Sequence, residues 1–232
     1  MYTQNSRKGL YVVIEGPDGC GKTTMATKLI EWVRENYNDK EVIYVREPGG
    51  IKPAEKIRDI LLSTELDDRS RFLLFAASRS INIVQTIIPA LDAGKIIICD
   101  RGSRSTFVYQ GFADRNASDS FSSWAEKTRM FRTIETYAIH GCLPDMEFLM
   151  SVDPEEAWRR SHTRDKEVDV LEAQGYEWFK KINKLYNVPC TLIPYTTYID
   201  ANASPDIVFD QLKEHLARLI EQKFGDGDVS DS

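Results

Sequence analysis

Cysteine is scarce in this 232-residue chain: Cys20, Cys99, Cys142 and Cys190 stand far apart, with no CxxC pair and no histidine at metal-ligand spacing. That excludes a disulfide framework and a structural zinc site, and isolated cysteines fit a reducing compartment. Positive charge is not in excess; the net charge is −6, so nonspecific binding to nucleic acid is not expected. A local basic pocket for a small phosphate ligand is compatible with that balance. Apolar runs are short and strand-like, too short for a membrane span. Residues 1–8 are polar and lack the apolar core of a signal peptide. His140, His162 and His215 have no partner at catalytic spacing. These absences lead to the expectation of a soluble, cytoplasmic chain with no nucleic-acid or membrane partner.

What is present is an ordinary globular balance, 42% hydrophobic and 28% charged, enough to bury a core without disulfides. Residues 10–14, 42–45, 96–99, 148–152 and 198–200 read as short strands, apolar along their length rather than alternating. Helical spacing lies between them: 22–37; a segment opened by Pro53; 69–91, which Pro89 should kink or end; 120–139; 153 to about 160, with Asp153 as cap and Glu156 completing a capping-box pattern; 171–186; and 205–223. Such alternation predicts an α/β fold: a central parallel five-stranded sheet flanked by helices, with ligands at the carboxyl ends of the strands. A single domain over 1–224 is expected, with a charged lid segment at about 159–172 and a small, acidic, disordered tail over 225–232.

Gly16-Pro17-Asp18-Gly19-Cys20-Gly21-Lys22-Thr23 fits GxxxxGK[ST] between an expected strand and an expected helix. The chemistry needs these types at this spacing. Glycines let backbone N–H groups turn inward around phosphate oxygens, Lys22 reaches the β- and γ-phosphates, and the Thr23 hydroxyl ligates Mg²⁺. Thr24 continues the segment. Asp100, ending an apolar strand, is then the expected Mg²⁺ partner, and Arg101 beside it is placed to clamp a phosphate.

Glu15-Gly-Pro-Asp-Gly-Cys-Gly-Lys-Thr-Thr24, Arg46-Glu-Pro-Gly-Gly50, Leu73-Leu-Phe-Ala-Ala-Ser-Arg79, and Asp100-Arg101 followed by Ser105-Thr-Phe-Val-Tyr-Gln-Gly111 resemble thymidylate kinases, in family order and spacing from about residue 10 to 220. Ser151-Val-Asp-Pro-Glu155 and Ile199-Asp-Ala201 look like the family's later strand ends. The resemblance implies a P-loop kinase fold and transfer of the γ-phosphoryl of ATP to dTMP, with Mg²⁺. It implies that Phe75 stacks on the base and Arg79, on the same helix face, hydrogen-bonds it. By the same resemblance Asp18 contacts the sugar, Arg101 and Arg58 hold the acceptor phosphate, and Arg46, Glu47 and Pro48 belong to the acceptor site. Thr106, Tyr109 and Gln110 match residues around sugar and base. The P-loop position that carries a catalytic arginine in some members is Gly19 here, so a lid arginine, Arg159, Arg160 or Arg164, is expected to serve, and a homodimer is implied.

The chain departs from the family pattern at Ile51, Gly102, Arg104 and Val170. Competing readings are a kinase for another, or several, deoxynucleoside monophosphates, and a nucleotide-binding regulatory protein without transfer activity.

Overall fold

The computed structural model describes residues 5–112, 124–162, 175–188, 193 and 195–225. Strands β1 (Leu10–Glu15), β2 (Val42–Arg46), β3 (Ile96–Asp100), β4 (Met146–Ser151) and β5 (Thr196–Asp200) form one sheet in the order β2-β3-β1-β4-β5. Every pairing is parallel. The register aligns Ile14 and Arg46 with Asp100, so the carboxyl ends of the three strands β2, β3 and β1 lie side by side.

Along β1, Leu10, Val12 and Ile14 pack to one face and Tyr11 and Val13 to the other, and all are buried. A strand apolar on both faces needs cover on both sides, and helices supply it. On the first face lie α1 (Lys22–Asn36), through Met25, Leu29 and Val33, and α9 (Pro205–Phe224), through Val208, Leu212, Leu216 and Ile220. These recur every three or four residues, which keeps them on one helical stripe. On the second face Ile83, Ile87 and Leu91 meet Tyr11, Val45, Ile97 and Cys99.

Those three residues sit in a 25-residue helix, Asp68–Asp92, long and apolar enough to cross a bilayer by length and composition. Here its apolar face is a core face. It comprises α3 (Asp68–Asn82), a π turn (Ile83–Ile87) and α4 (Ile88–Asp92). Of the two outcomes expected at Pro89, a kink or an end, the helix does not end there. The helix widens in the turn before Pro89, where the ring would otherwise clash with the carbonyl four residues back.

Other differences are local. Alpha-helix α5 (Ser103–Thr106) and a π turn (Phe107–Phe112) follow β3, an element without an apolar period in the sequence. In α7 (Pro154–His162) the capping box does not form: Glu156 receives Arg159 and Arg160, and the Asp153 N–H donates to Asn202 Oδ1 at 2.8 Å. Helix α2 runs over Lys52–Ser63 with proline in its first turn as expected. Helices α6 (Trp124–Ala138) and α8 (Tyr176–Tyr186) are described over these residues; the earlier parts of both expected helices, residues 163–172 of the lid, Val170 among them, Cys190 and residues 226–232 of the tail lie outside the described residues.

Candidate active site

A cleft of about 370 Å³ opens at the carboxyl ends of β1, β2 and β3. Asp18, Gly19, Gly21, Lys22 and Thr23 line it from the P-loop side, and Arg46, Glu47, Pro48, Arg58, Phe75, Asp100, Arg101, Tyr109 and Gln110 from the rest. Gly16, Gly19 and Gly21 all have φ between +80° and +147°, the left-handed region that a side chain disfavours. Lys22 is buried; its Nζ donates to the carbonyls of Gly16 (2.8 Å) and Pro17 (2.7 Å). Cys20 is buried beneath the loop, and Gly16, Cys20 and Thr24 do not line the cleft.

Gly19 also faces α7. A β-carbon there would come within 2.1 Å of the Ala157 carbonyl oxygen, so this turn seats α7 directly and has no room for an arginine. The lid arginines within the described residues lie outside the cleft lining. Arg159 is exposed and paired with Glu156. Arg160 donates to Glu156 and to the Ala201 carbonyl at 2.8 Å. Hydrogen bonds from both arginines hold the Glu156 carboxyl down at about 2. Arg164 lies outside the described residues.

At the end of β3 the Thr23 hydroxyl donates to Asp100 Oδ2 at 2.5 Å, and the Tyr44 hydroxyl to the same oxygen at 3.3 Å. Burial, with Asp100 beside it, pushes the Tyr44 phenol up to about 12, so it stays a donor. Arg101 has φ 76°, unusual for a non-glycine residue. Its guanidinium pairs with Asp18 and donates to Ser105 Oγ and Tyr186 Oη, each at 3.1 Å. Tyr109 Oη donates to the other Asp18 oxygen at 2.9 Å, its phenol pushed up by burial and then by Asp18. Glu15, fully buried, accepts from the N–H groups of Gly102 and Ser105 and from the Ser105 hydroxyl, which fixes the start of α5.

Phe75 lines the cleft; Arg79 and Thr106 do not, and form the wall behind it. Arg79 Nε donates to Glu47 Oε2 at 2.7 Å, Nη1 to both oxygens of Glu135 at 2.6 Å, and Nη2 to Thr106 Oγ1 at 2.9 Å. Burial, outweighing the Arg79 charge, pushes the Glu47 carboxyl up to about 7. Helix α3 pins the 46–50 loop further: Ser78 accepts from the Gly49 N–H at 3.2 Å and Asn82 donates to the Gly49 carbonyl at 2.6 Å. Arg58 Nη1 holds the Pro48 carbonyl at 2.9 Å, and Arg46 pairs with Glu55. Both amide atoms of Gln110 are buried with no hydrogen-bond partner among the described residues.

The departures at Ile51, Gly102 and Arg104 fall outside the cleft lining. Arg104 is fully buried in an ion pair with Glu147 at 2.7 Å and donates to Thr196 Oγ1 and the Val188 carbonyl. Gly102 leaves no free space; a β-carbon would lie 3.0 Å from Val13 Cγ1.

Sequence reasoning missed Glu15, Ser105, Glu135 and Tyr186. Glu15 could have been noticed, since it ends an apolar strand as Asp100 does. Glu135 falls with Phe131 and Ala138 on the buried stripe of α6, where an acid calls for a counter-ion.

A glycine cradle in the turn after β1, opening where parallel strands end, is how P-loop nucleotide-binding proteins are built, and this chain is one of them. A family model described as thymidylate kinase matches residues 14–212. The chain is 34% identical over 214 residues to a thymidylate kinase of Clostridium novyi, covering 90% of this chain and 98% of that protein. It is 36% identical over 207 residues to one of Geobacillus, covering 87% and 93%, and 33% identical over 222 residues to one of Enterococcus faecalis, covering 94% and 100%. The chain belongs to the thymidylate kinase family.

Proposed function

We propose that the chain transfers the γ-phosphoryl group of ATP to the phosphate of dTMP, giving dTDP and ADP. The observation that carries this reading is one cleft with two kinds of wall: Lys22 and Thr23 on one side, and on the other Phe75 with the Gln110 amide, which has no partner among the described residues. An aromatic face beside a buried amide suits a flat base with hydrogen-bonding edges.

In this reading the donor phosphates take the place of the carbonyls that Lys22 now holds, within reach of the inward N–H groups of the loop. Mg²⁺ fits Thr23 and Asp100, a hydroxyl and a carboxylate 2.5 Å apart, because the ion prefers hard oxygen donors and few protein ligands beside phosphates. Bound there it supplies charge neutralisation between the donor phosphates. Arg101 and Arg58 hold the acceptor phosphate, Asp18 and Tyr109 the sugar, and Arg79 reads the base. An acceptor-phosphate oxygen forms the new P–O bond as the bond between β- and γ-phosphate groups breaks, without a covalent enzyme intermediate. The protein's contribution is positioning and charge stabilisation. A lid arginine, Arg160 or Arg164, adds positive charge on closure.

The protein acts as a cytoplasmic homodimer. On the Asp68–Asp92 helix, Leu73 and Val84 are exposed, and on α6 Met130 and Tyr137. The members of each pair are about a whole number of helical turns apart and so share a face; adjoining apolar faces of this kind mark an interface.

The test is an acceptor panel of dTMP, dUMP, dGMP and dCMP with ATP and Mg²⁺. dTMP should give the highest kcat/KM; if it were the poorest acceptor, the assignment would fail. ADP release that needs no acceptor would favour a regulatory nucleotide binder.

A further inference from the structure

We infer that Tyr44 is a positioning residue of the cation site, holding the Asp100 carboxylate so that one of its oxygens stays available to the divalent ion. The inference rests on the reading of Thr23 and Asp100 as that ion's protein ligands.

Tyr44 reaches the site from a strand that supplies neither ligand. The register sets Tyr44 of β2 beside Ile98 of β3, and Arg46 beside Asp100. Side chains aligned across parallel neighbours share a face, as do those two apart along one strand. Tyr44 and Asp100 therefore stand on the same face as Val42, Ile96 and Ile98, the face covered by α1, whose first turn carries Thr23. Val42 is buried there, whereas Tyr44 is 39% exposed and lines the cleft. A ring left that far in water adds little to the core; what it brings to the cleft is its hydroxyl.

Two hydroxyls meet one carboxylate oxygen. Asp100 Oδ2 accepts from Thr23 Oγ1 at 2.5 Å and from Tyr44 Oη at 3.3 Å, and Oδ1 accepts from no group among the described residues. The terminal torsion of an aspartate is broad, so a single contact leaves its plane free to turn. Donors from α1 and β2 together fix the plane and leave Oδ1 as a hard oxygen donor of the kind a small divalent ion takes. With the Thr23 oxygen engaged by a bound ion, Tyr44 is the contact that still steadies Oδ2. A group that hydrogen-bonds the free atom of a metal ligand tunes affinity without touching the metal.

The experiment titrates Mn²⁺, in place of Mg²⁺, into the full chain held in excess over ADP, and follows free Mn²⁺ by electron paramagnetic resonance. The variants are Tyr44→Phe, Asp100→Asn and the two combined. Tyr44→Phe should weaken Mn²⁺ binding about tenfold, the lower end of what losing such an orienting contact costs, as suits a contact as long as 3.3 Å. The affinity for ADP without metal and the dTMP KM should stay at the wild-type values. Asp100→Asn should weaken Mn²⁺ binding more, and adding Tyr44→Phe to it should change nothing further, since the tyrosine acts through the aspartate. Unchanged Mn²⁺ binding in Tyr44→Phe overturns the inference. So does a loss of the same size in the Asp100→Asn background, or a matching loss of metal-free ADP affinity, which a merely structural role would give. Should Tyr44→Phe not fold, Tyr44→Leu decides by the same readings. If Asp100→Asn binds Mn²⁺ as wild type does, the cation placement in the proposed function fails and takes this inference with it. If Asp100→Asn binds weakly while Tyr44→Phe matches wild type, this inference alone fails.

Discussion

The glycine cradle and the proposed base wall border one cleft, yet their polar groups are held in different ways. In the cradle, Lys22 reaches carbonyls five and six residues away, and the loop's shape comes from left-handed glycines. In the wall, Arg79 reaches partners 27, 32 and 56 residues away, in α5, the loop after β2 and α6, all out of water. A local device can lose its key charge and keep its backbone. A non-local cluster of buried charges cannot, because each member is the solvent of the others. Loss of the cradle's charge should therefore strike turnover alone, and loss of the wall's charge both binding and stability.

Lys22→Ala tests the first half and carries the largest effect. Turnover should fall by about 10³-fold or more, the scale for removing a charge aimed at a transferring phosphoryl group, while the melting temperature stays at the wild-type value. A variant that unfolds early would erase the contrast.

Arg79→Ala tests the second half. Glu47 and Glu135 would be left buried without their counter-ion, a loss of about 3–5 kcal/mol in denaturant unfolding, and the dTMP KM should rise more than the ATP KM. Wild-type stability in this variant would show that the wall is no more integrated than the cradle.

Gly19→Ala sharpens the comparison, because it asks how local the cradle is. The new methyl meets the Ala157 carbonyl oxygen and sits at φ +80°, which should cost about 1–3 kcal/mol and raise the ATP KM as α7 is pushed back. Unchanged ATP binding would mean that the loop keeps its shape without the helix seated on it.

The smallest effect concerns pH. Burial pushes Glu47 and Glu147 up to about 7, from an ordinary 4.5. Between those values the folded chain holds protons that the unfolded chain has released. The stabilisation from these groups is therefore full below about pH 4.5 and falls as pH rises toward 7. The stability advantage of wild type over Glu147→Gln, from urea midpoints, should shrink between about pH 5 and pH 7. A constant or growing advantage would contradict the raised carboxyls.

The same contrast explains what could be read from the chain. The sheet was legible because strands buried on both faces are continuously apolar, and the cradle because its chemistry demands fixed residue types at fixed spacing. Asp100 was legible as an acid ending such a strand. Arg79 was identified only through a resemblance. Its burial, and its hold on Glu47 and Glu135, depend on α3, β2 and α6 coming together, which no local pattern encodes. Arg104 departs from the family pattern in a stretch whose neighbours, Arg101 and Ser105, line the cleft; in the fold it faces Glu147 and the core. The α5 turn was missed because polar contacts to Glu15, rather than an apolar stripe, start it.

The left-handed backbone at Arg101 sets a limit on how this enzyme can be improved. Glycine would relax that φ and stabilise the turn, but it would delete the guanidinium that pairs with Asp18. At this residue backbone ease and side-chain pairing pull in opposite directions, so a glycine that relaxed the chain would also untie the end of β3 from Asp18 in the phosphate loop.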